Sequence, residues 1–174
     1  MTYYASGPRR LRRGLPGLLA LAITAALFAM GREAVKAWRA ETLTGRVTVV
    51  DGDSLRLDGQ EIRLEGIDAP EYRQTCWKGD REEPCGKQAR SALVQLIGAG
   101  ALVCVSHGVD RYGRKLAVCR VGDVDVNRAM VLDGQAVAYG AYESEEADAH
   151  RAGRGVWASR FERPADWRAR HPRP

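Results

Sequence analysis

The chain has 174 residues, 45% of them hydrophobic and 28% charged, which is enough for one domain with its own core plus an appendage. Its net charge of +5 first suggests a polyanion binder, but the charge is unevenly placed. Residues 1–40 hold seven Lys/Arg and one acid, leaving 20 basic against 21 acidic residues in 41–174, so the folded part has no basic excess and a polyanion partner must be argued from a local site.

The leader opens with a basic cluster, Arg9, Arg10, Arg12 and Arg13. Residues 14–31 then carry no charge, and their 18 residues would span roughly 27 Å as a helix, just short of a bilayer core. A basic segment before an apolar one reads as an export signal with its N-terminus held in the cytoplasm. No clean Ala-x-Ala follows, which favours an uncleaved anchor over a removed signal peptide. The expected division is a basic cytoplasmic end at 1–13, a signal anchor or signal peptide at 14–31, a charged linker at 32–41 and a folded domain at 42–174. That domain is expected at the periplasmic or extracellular face, tethered to the membrane through 14–31 or secreted after cleavage.

Thr42–Val50 ends in Val-Thr-Val-Val and is predicted to be a strand. Asp58-Gly59 is a two-residue hairpin signal. Pairing outward from it sets Leu57 against Gln60, Arg56 against Glu61, Leu55 against Ile62 and Ser54 against Arg63. That register matches apolar with apolar and cation with anion. It brings Asp53 and Arg63 to one end of the hairpin, where Asp68-Ala-Pro-Glu71 leaves the second strand. Carboxylates gathered beside an arginine suit a hard metal, a phosphate, or both. Strict alternation would put Asp53 and Arg63 on opposite faces, so a bulge or a strand end at Asp53 is required.

Residues 67–85 lack periodicity and contain two prolines, so they read as a loop. A helix is predicted over about 86–99, with Ala89, Ala92, Leu93, Leu96 and Ile97 on one face. Strands at 101–106 and 115–121 flank the turn Asp110-Arg-Tyr-Gly-Arg114, and short helices fit 126–133 and 143–152. Trp157, Phe161 and Trp167 in the tail read as a packed cap. Four cysteines in an exported chain favour disulfides, and none of their spacings is a zinc pair. Cys104 and Cys119 are centred on the 110–114 turn, and Cys76 and Cys85 flank one loop, so they are paired that way. The pattern is an α+β, mainly β domain: a small Greek-key barrel of the OB type with helices at one end.

Three motifs in order, V-D-G-D-S, I-R-L-E-G-I-D-A-P-E and D-R-Y-G-R, with a helix between the second and third, resemble the staphylococcal (micrococcal) nuclease family. The resemblance covers roughly residues 45–157. It implies a five-stranded OB barrel with about three helices and a Ca2+-dependent phosphodiester hydrolase. Carried over position by position, the calcium aspartates fall on Asp53 and Asp68, and the carbonyl ligand on Ala69. The general-base glutamate falls on Glu71 and the phosphate-gripping arginines on Arg63 and Arg114. The founding member has threonine where this chain has Ala69, which keeps a carbonyl but no hydroxyl. The implied activity is a monomeric endonuclease that cuts DNA and RNA alike, leaving 3′-phosphate and 5′-hydroxyl ends. The competing class is an OB-fold module that binds nucleic acid without cutting it.

The residue types suit that chemistry. Phosphodiester hydrolysis sets a water in line with a leaving alkoxide while charge builds on the phosphoryl oxygens. Arginine offers a planar, permanently charged fork to those oxygens, and a carboxylate can take the proton of the water.

Overall fold

The computed structural model describes residues 40–172 together with Leu21 and Ile23. Apart from Leu21 and Ile23, the basic N-terminus, the apolar run and all but the end of the linker therefore lie outside the described residues. Among those described, no helix is long and apolar enough to cross a membrane.

The main sheet is built from β1 (Glu41–Leu43), β2 (Val47–Val49), β3 (Ser54–Leu57), β4 (Gln60–Leu64), β8 (Leu102–Val109) and β9 (Lys115–Val121) in the order β1-β8-β9-β4-β3-β2, with β10 (Val124–Asp125) on β9. This sheet curls into the OB-like half of an α+β, mainly β fold. The predicted 42–50 strand is split in two around Gly45, whose φ is +154°. The β3–β4 register is the one expected from the Asp58-Gly59 turn, with Ser54 opposite Arg63. Asp58 and Gly59 both take positive φ, 47° and 90°, as such a two-residue turn demands. Leu55, Leu57, Ile62 and Leu64 point into the core, while Arg56 and Glu61 pair outside at 2.9 Å.

β4 also runs parallel to β9, with Arg63 opposite Leu116, a pairing made between segments some fifty residues apart. The helix α1 (Cys85–Ile97) covers the core with Ala89, Leu93 and Ile97 and ends at Gly98. The helix α2 (Val126–Leu132) begins at Asp125, whose side chain accepts the Arg128 N–H. Fully buried Asn127 on α2 donates to the carbonyls of Glu65 and Ala117 and accepts the Cys119 N–H, so it ties α2 to the exit of β4 and to β9. The helix α3 (Glu143–Arg151) follows Tyr142.

Two features depart from expectation. Residues 67–85 are not a plain loop. They contain β5 (Ile67–Asp68), which pairs with β11 (Val137–Ala138), and a hairpin of β6 (Cys76–Lys78) and β7 (Arg81–Glu83). That hairpin is largely exposed and charged, so no apolar alternation announces it. Its start is fixed by the Cys76–Cys85 disulfide and by a backbone bridge from Trp77 to Arg160. The tail also forms more than a cap. A 3-10 turn at Gly155–Ala158 is followed by a fourth α-helix, α4 (Pro164–Arg170). Trp157 and Phe161 do pack as expected, edge to face at 5.1 Å, over the Cys76–Cys85 cluster. The second disulfide is Cys104–Cys119, its cysteines directly opposite in the β8–β9 ladder.

Candidate active site

The site grows from the open end of the β3–β4 hairpin. Asp51-Gly52-Asp53 forms a bend before β3, and Asp51 accepts the Asp53 N–H at 3.2 Å, closing the bend on itself. Burial pushes the Asp51 carboxyl up, against the pull of Ser54, Arg63 and Arg114. Gly52 is required there: a β-carbon would lie 2.6 Å from that of Ala69 and 2.8 Å from that of Ala89. Asp53 thus stands at a strand end, as the alternation argument demanded, while its carbonyl still accepts the Leu64 N–H at 2.8 Å.

Asp53 and Asp68 are each only 2% exposed. Buried carboxylates at such depth require cationic or hydrogen-bonding partners, and both have them. Arg63, rising from β4, pairs with Asp53 through Nη1 and donates from Nη2 to Asp68 Oδ1 at 2.8 Å and to the Ile67 carbonyl at 3.2 Å. Asp53 also accepts the Ser54 hydroxyl at 3.0 Å and the Ala69 N–H at 2.7 Å. One guanidinium therefore bridges two buried aspartates, one from the bend before β3 and one from β5. Glu61 pairs with Arg56, so it does not divert Arg63.

Arg114 approaches from the β8–β9 turn. Its Nε and Nη2 both grip Asp110 Oδ2 at 2.7 Å, and Nη1 reaches the Ser54 hydroxyl at 3.4 Å. Burial raises the Asp110 carboxyl, but the bonds from Arg114 and the backbone outweigh it and hold Asp110 below its usual range. Through Ser54 the arginine joins the Asp53 network.

Glu71 stands on the turn after β5. Its N–H donates to Gln74 Oε1 at 3.1 Å, and its carbonyl accepts the Gln74 N–H at 2.7 Å. Gln74 is wholly buried and donates from Nε2 to the Glu162 carbonyl at 2.6 Å.

The residue that sequence reasoning missed is Arg168, on α4. It donates to both oxygens of Asp68, Nη1 to Oδ1 at 2.9 Å and Nη2 to Oδ2 at 3.0 Å, and from Nη1 to Glu71 Oε1 at 3.1 Å. Bonding to Asp68 raises the already high pKa of this guanidinium further, despite partial desolvation. No motif marks Arg168. The only signal was Pro164 with Asp166 in R-P-A-D-W-R, a proline-started first turn that points to a helix.

Together these segments gather Asp53, Arg63, Asp68, Glu71 and Arg168, with Arg114 one hydroxyl away. A family model described as staphylococcal nuclease homologue matches residues 61–159. The chain belongs to the staphylococcal nuclease family. Over 131 residues it is 35% identical to the succinoglycan biosynthesis protein ExoI of Rhizobium meliloti, covering 71% of this chain and 69% of that one. Over 134 residues it is 30% identical to an uncharacterized endonuclease of Haemophilus influenzae, covering 70% of each. It is also 33% identical over 114 residues to the probable staphylococcal-like nuclease CAN2 of Oryza sativa subsp. japonica, covering 62% of this chain but only 28% of the rice protein. Family and relatives support a nuclease.

The family implies calcium. Among the described residues, no three His, Cys, Asp or Glu side chains converge as a metal cluster. The site offers two buried aspartates, Asp53 and Asp68. Their oxygens are hard donors of the kind calcium takes. The same aspartates already hold two guanidinium cations, so the cleft is built to receive positive charge. In donor chemistry the two aspartates suit the ion.

Proposed function

We propose that this chain is a calcium-dependent, sugar-nonspecific endonuclease that cuts DNA and RNA to 3′-phosphate and 5′-hydroxyl ends. The observation that carries the reading is the Arg63 bridge between buried Asp53 and Asp68, with Glu71 brought to the same carboxylate pair through Arg168. Asp53, Asp68 and the Ala69 carbonyl would hold the calcium ion, which supplies charge neutralisation to the phosphate oxygens. Arg63 and Arg114 come from segments distant in the chain, so they can address different oxygens of one phosphate. Glu71 accepts a proton from the attacking water. The water oxygen bonds to phosphorus, the bond to the 5′ oxygen breaks, and that oxygen leaves with a proton from solvent. Because arginine and calcium address phosphate and not bases, sugar and sequence should matter little.

The two disulfides favour an oxidising compartment, which accords with export by the leader.

The test is the purified chain incubated with DNA and with RNA, in calcium and in excess chelator. Both substrates should be cut only with calcium. Glu71→Gln keeps size and hydrogen bonding but removes the base, so turnover should fall at least about 10²-fold while substrate binding changes little. Full activity in chelator, or a Glu71→Gln protein as fast as wild type, overturns the mechanism. Substrate binding without cleavage by the wild type would favour a non-catalytic OB-fold module instead.

A further inference from the structure

The Arg168 contact has no place in the mechanism above. Its fork takes both oxygens of Asp68 and one of Glu71, the very carboxylates that the reaction needs for a divalent cation and a proton. Asp68 cannot give those lone pairs to a metal and to Arg168 together. Two cations therefore seek one carboxylate.

Of the two arginines on Asp68, Arg168 is the one able to leave. Arg63 stands in the sheet, its side chain 15% exposed, and is also bound to Asp53 and to the Ile67 carbonyl. The Arg168 side chain is 38% exposed, and among the described residues its hydrogen bonds go to Asp68 and Glu71. Its helix is seven residues long, has no side-chain N-cap and buries only Pro164. A helix that short draws little stability from itself. Near its start α4 is held by buried Pro164, by the Gln74–Glu162 bond and by the Arg163–Glu146 pair; at the site it is held by the Arg168 fork.

We propose that Arg168 is a tethered cation that competes with the divalent metal for Asp68, so that metal binding and release of the Arg168 fork are one linked event. The inference rests on reading Asp53, Asp68 and Ala69 as the metal ligands. It makes Arg168 a positioning residue that sets the calcium threshold. Without metal it neutralises Asp68 and engages Glu71. With metal it swings out. Each tenfold excess of the closed arrangement weakens apparent calcium affinity tenfold. A competitor bound by the same protein also makes the coupling reciprocal: calcium must loosen the Arg168 contact as much as the contact weakens calcium.

The experiment is calcium titration by calorimetry on the full chain, with hydrogen exchange over residues 164–170. Arg168→Ala should bind calcium at least about tenfold more tightly than wild type. Arg168→Lys keeps the charge but loses the fork, so it should fall between them. Arg170→Ala removes the neighbouring arginine that pairs with Glu162 and should leave the affinity unchanged. In the wild type, saturating calcium should speed amide exchange in α4. An Arg168→Ala affinity equal to or weaker than wild type, with calcium still bound, overturns the competition and leaves the ligand reading intact. No calcium uptake by wild type or by either Arg168 variant overturns both. If Arg168→Ala does not fold, the ordering of Arg168→Lys against wild type decides the matter alone.

Discussion

Gly86, the second residue of α1, packs directly on the main-chain carbonyl of Glu71: a β-carbon at Gly86 would overlap that oxygen. The turn that carries Glu71 is thus seated on the start of a helix by backbone contact. The obstacle at this position is main chain and cannot rotate away. Gly86→Ala should therefore destabilise the domain by about 1–3 kcal/mol, as overpacking does. It should also displace Glu71. Urea denaturation together with turnover under folded conditions checks both, and activity should fall by more than the loss of folded protein explains.

Arg114 is doubly committed, to Asp110 and to the Ser54 hydroxyl. Arg114→Lys keeps the charge but cannot hold Asp110 with two nitrogens and still reach Ser54. Turnover should drop strongly, while folding stability falls by only about 1 kcal/mol, because the ammonium still pairs with Asp110 in this partly buried site and loses only part of the hydrogen bonding. Steady-state kinetics beside a thermal melt separates the two effects.

Asp53 serves three donors: Arg63, the Ser54 hydroxyl and the Ala69 N–H. Asp53→Ala leaves buried donors unpaired and should cost about 1–3 kcal/mol in stability. Asp53→Asn keeps an acceptor for the Ala69 N–H and should recover part of that loss. Calcium affinity should fall in both, since the charge is gone from each. Calorimetric titration with chemical denaturation makes the comparison.

Burial pushes the Tyr142 hydroxyl up to about 12, with nearby Asp125, Glu65 and Glu145 acting in the same direction. Unfolded tyrosine ionises near 10. Between about pH 10 and 12 the unfolded chain therefore binds fewer protons than the folded one, and stability falls as pH rises. The contribution is complete below about pH 10 and is lost through the folded value. Tyr142→Phe should show a shallower alkaline decline, read as urea midpoints at pH 9 and pH 11.5.

The topology expected from the leader is open to a direct test. A reporter that folds only in the cytoplasm, fused after Pro174, should be inactive. Reduction of the two disulfides should lower stability by about 3 kcal/mol each on a chain-entropy argument, given their separations of 9 and 15 residues. Thermal melts with and without reductant measure that loss.

What the sequence disclosed and what it hid follow one physical division. The Asp58-Gly59 turn fixes its register locally, so the Ser54–Arg63 pairing could be read from spacing alone. The Cys104–Cys119 pair was legible for the same reason, being symmetric about a turn. The convergence of Asp53 with Arg63 was legible only as a requirement, and it is met by the bend at 51–53. β6 and β7 escaped notice because a disulfide and Arg160 hold them, not an apolar stripe. Arg168 escaped because its partners lie about a hundred residues away, on Asp68 and Glu71. No local pattern encodes a contact of that range.

Arg168 and Asp53 stand on either side of the 61–159 stretch that defines family membership. A domain lifted out along those limits, for fusion or exchange with a relative, would keep Arg63, Asp68, Glu71 and Arg114. It would lose β1 to β3 and α4, and with them one of the two buried aspartates and the cation that covers the other. Asp68 would be left with Arg63 as its sole remaining counter-charge from this set. The elements that build the site therefore reach beyond the family signature on both sides, from β3 at Ser54 to α4 ending at Arg170.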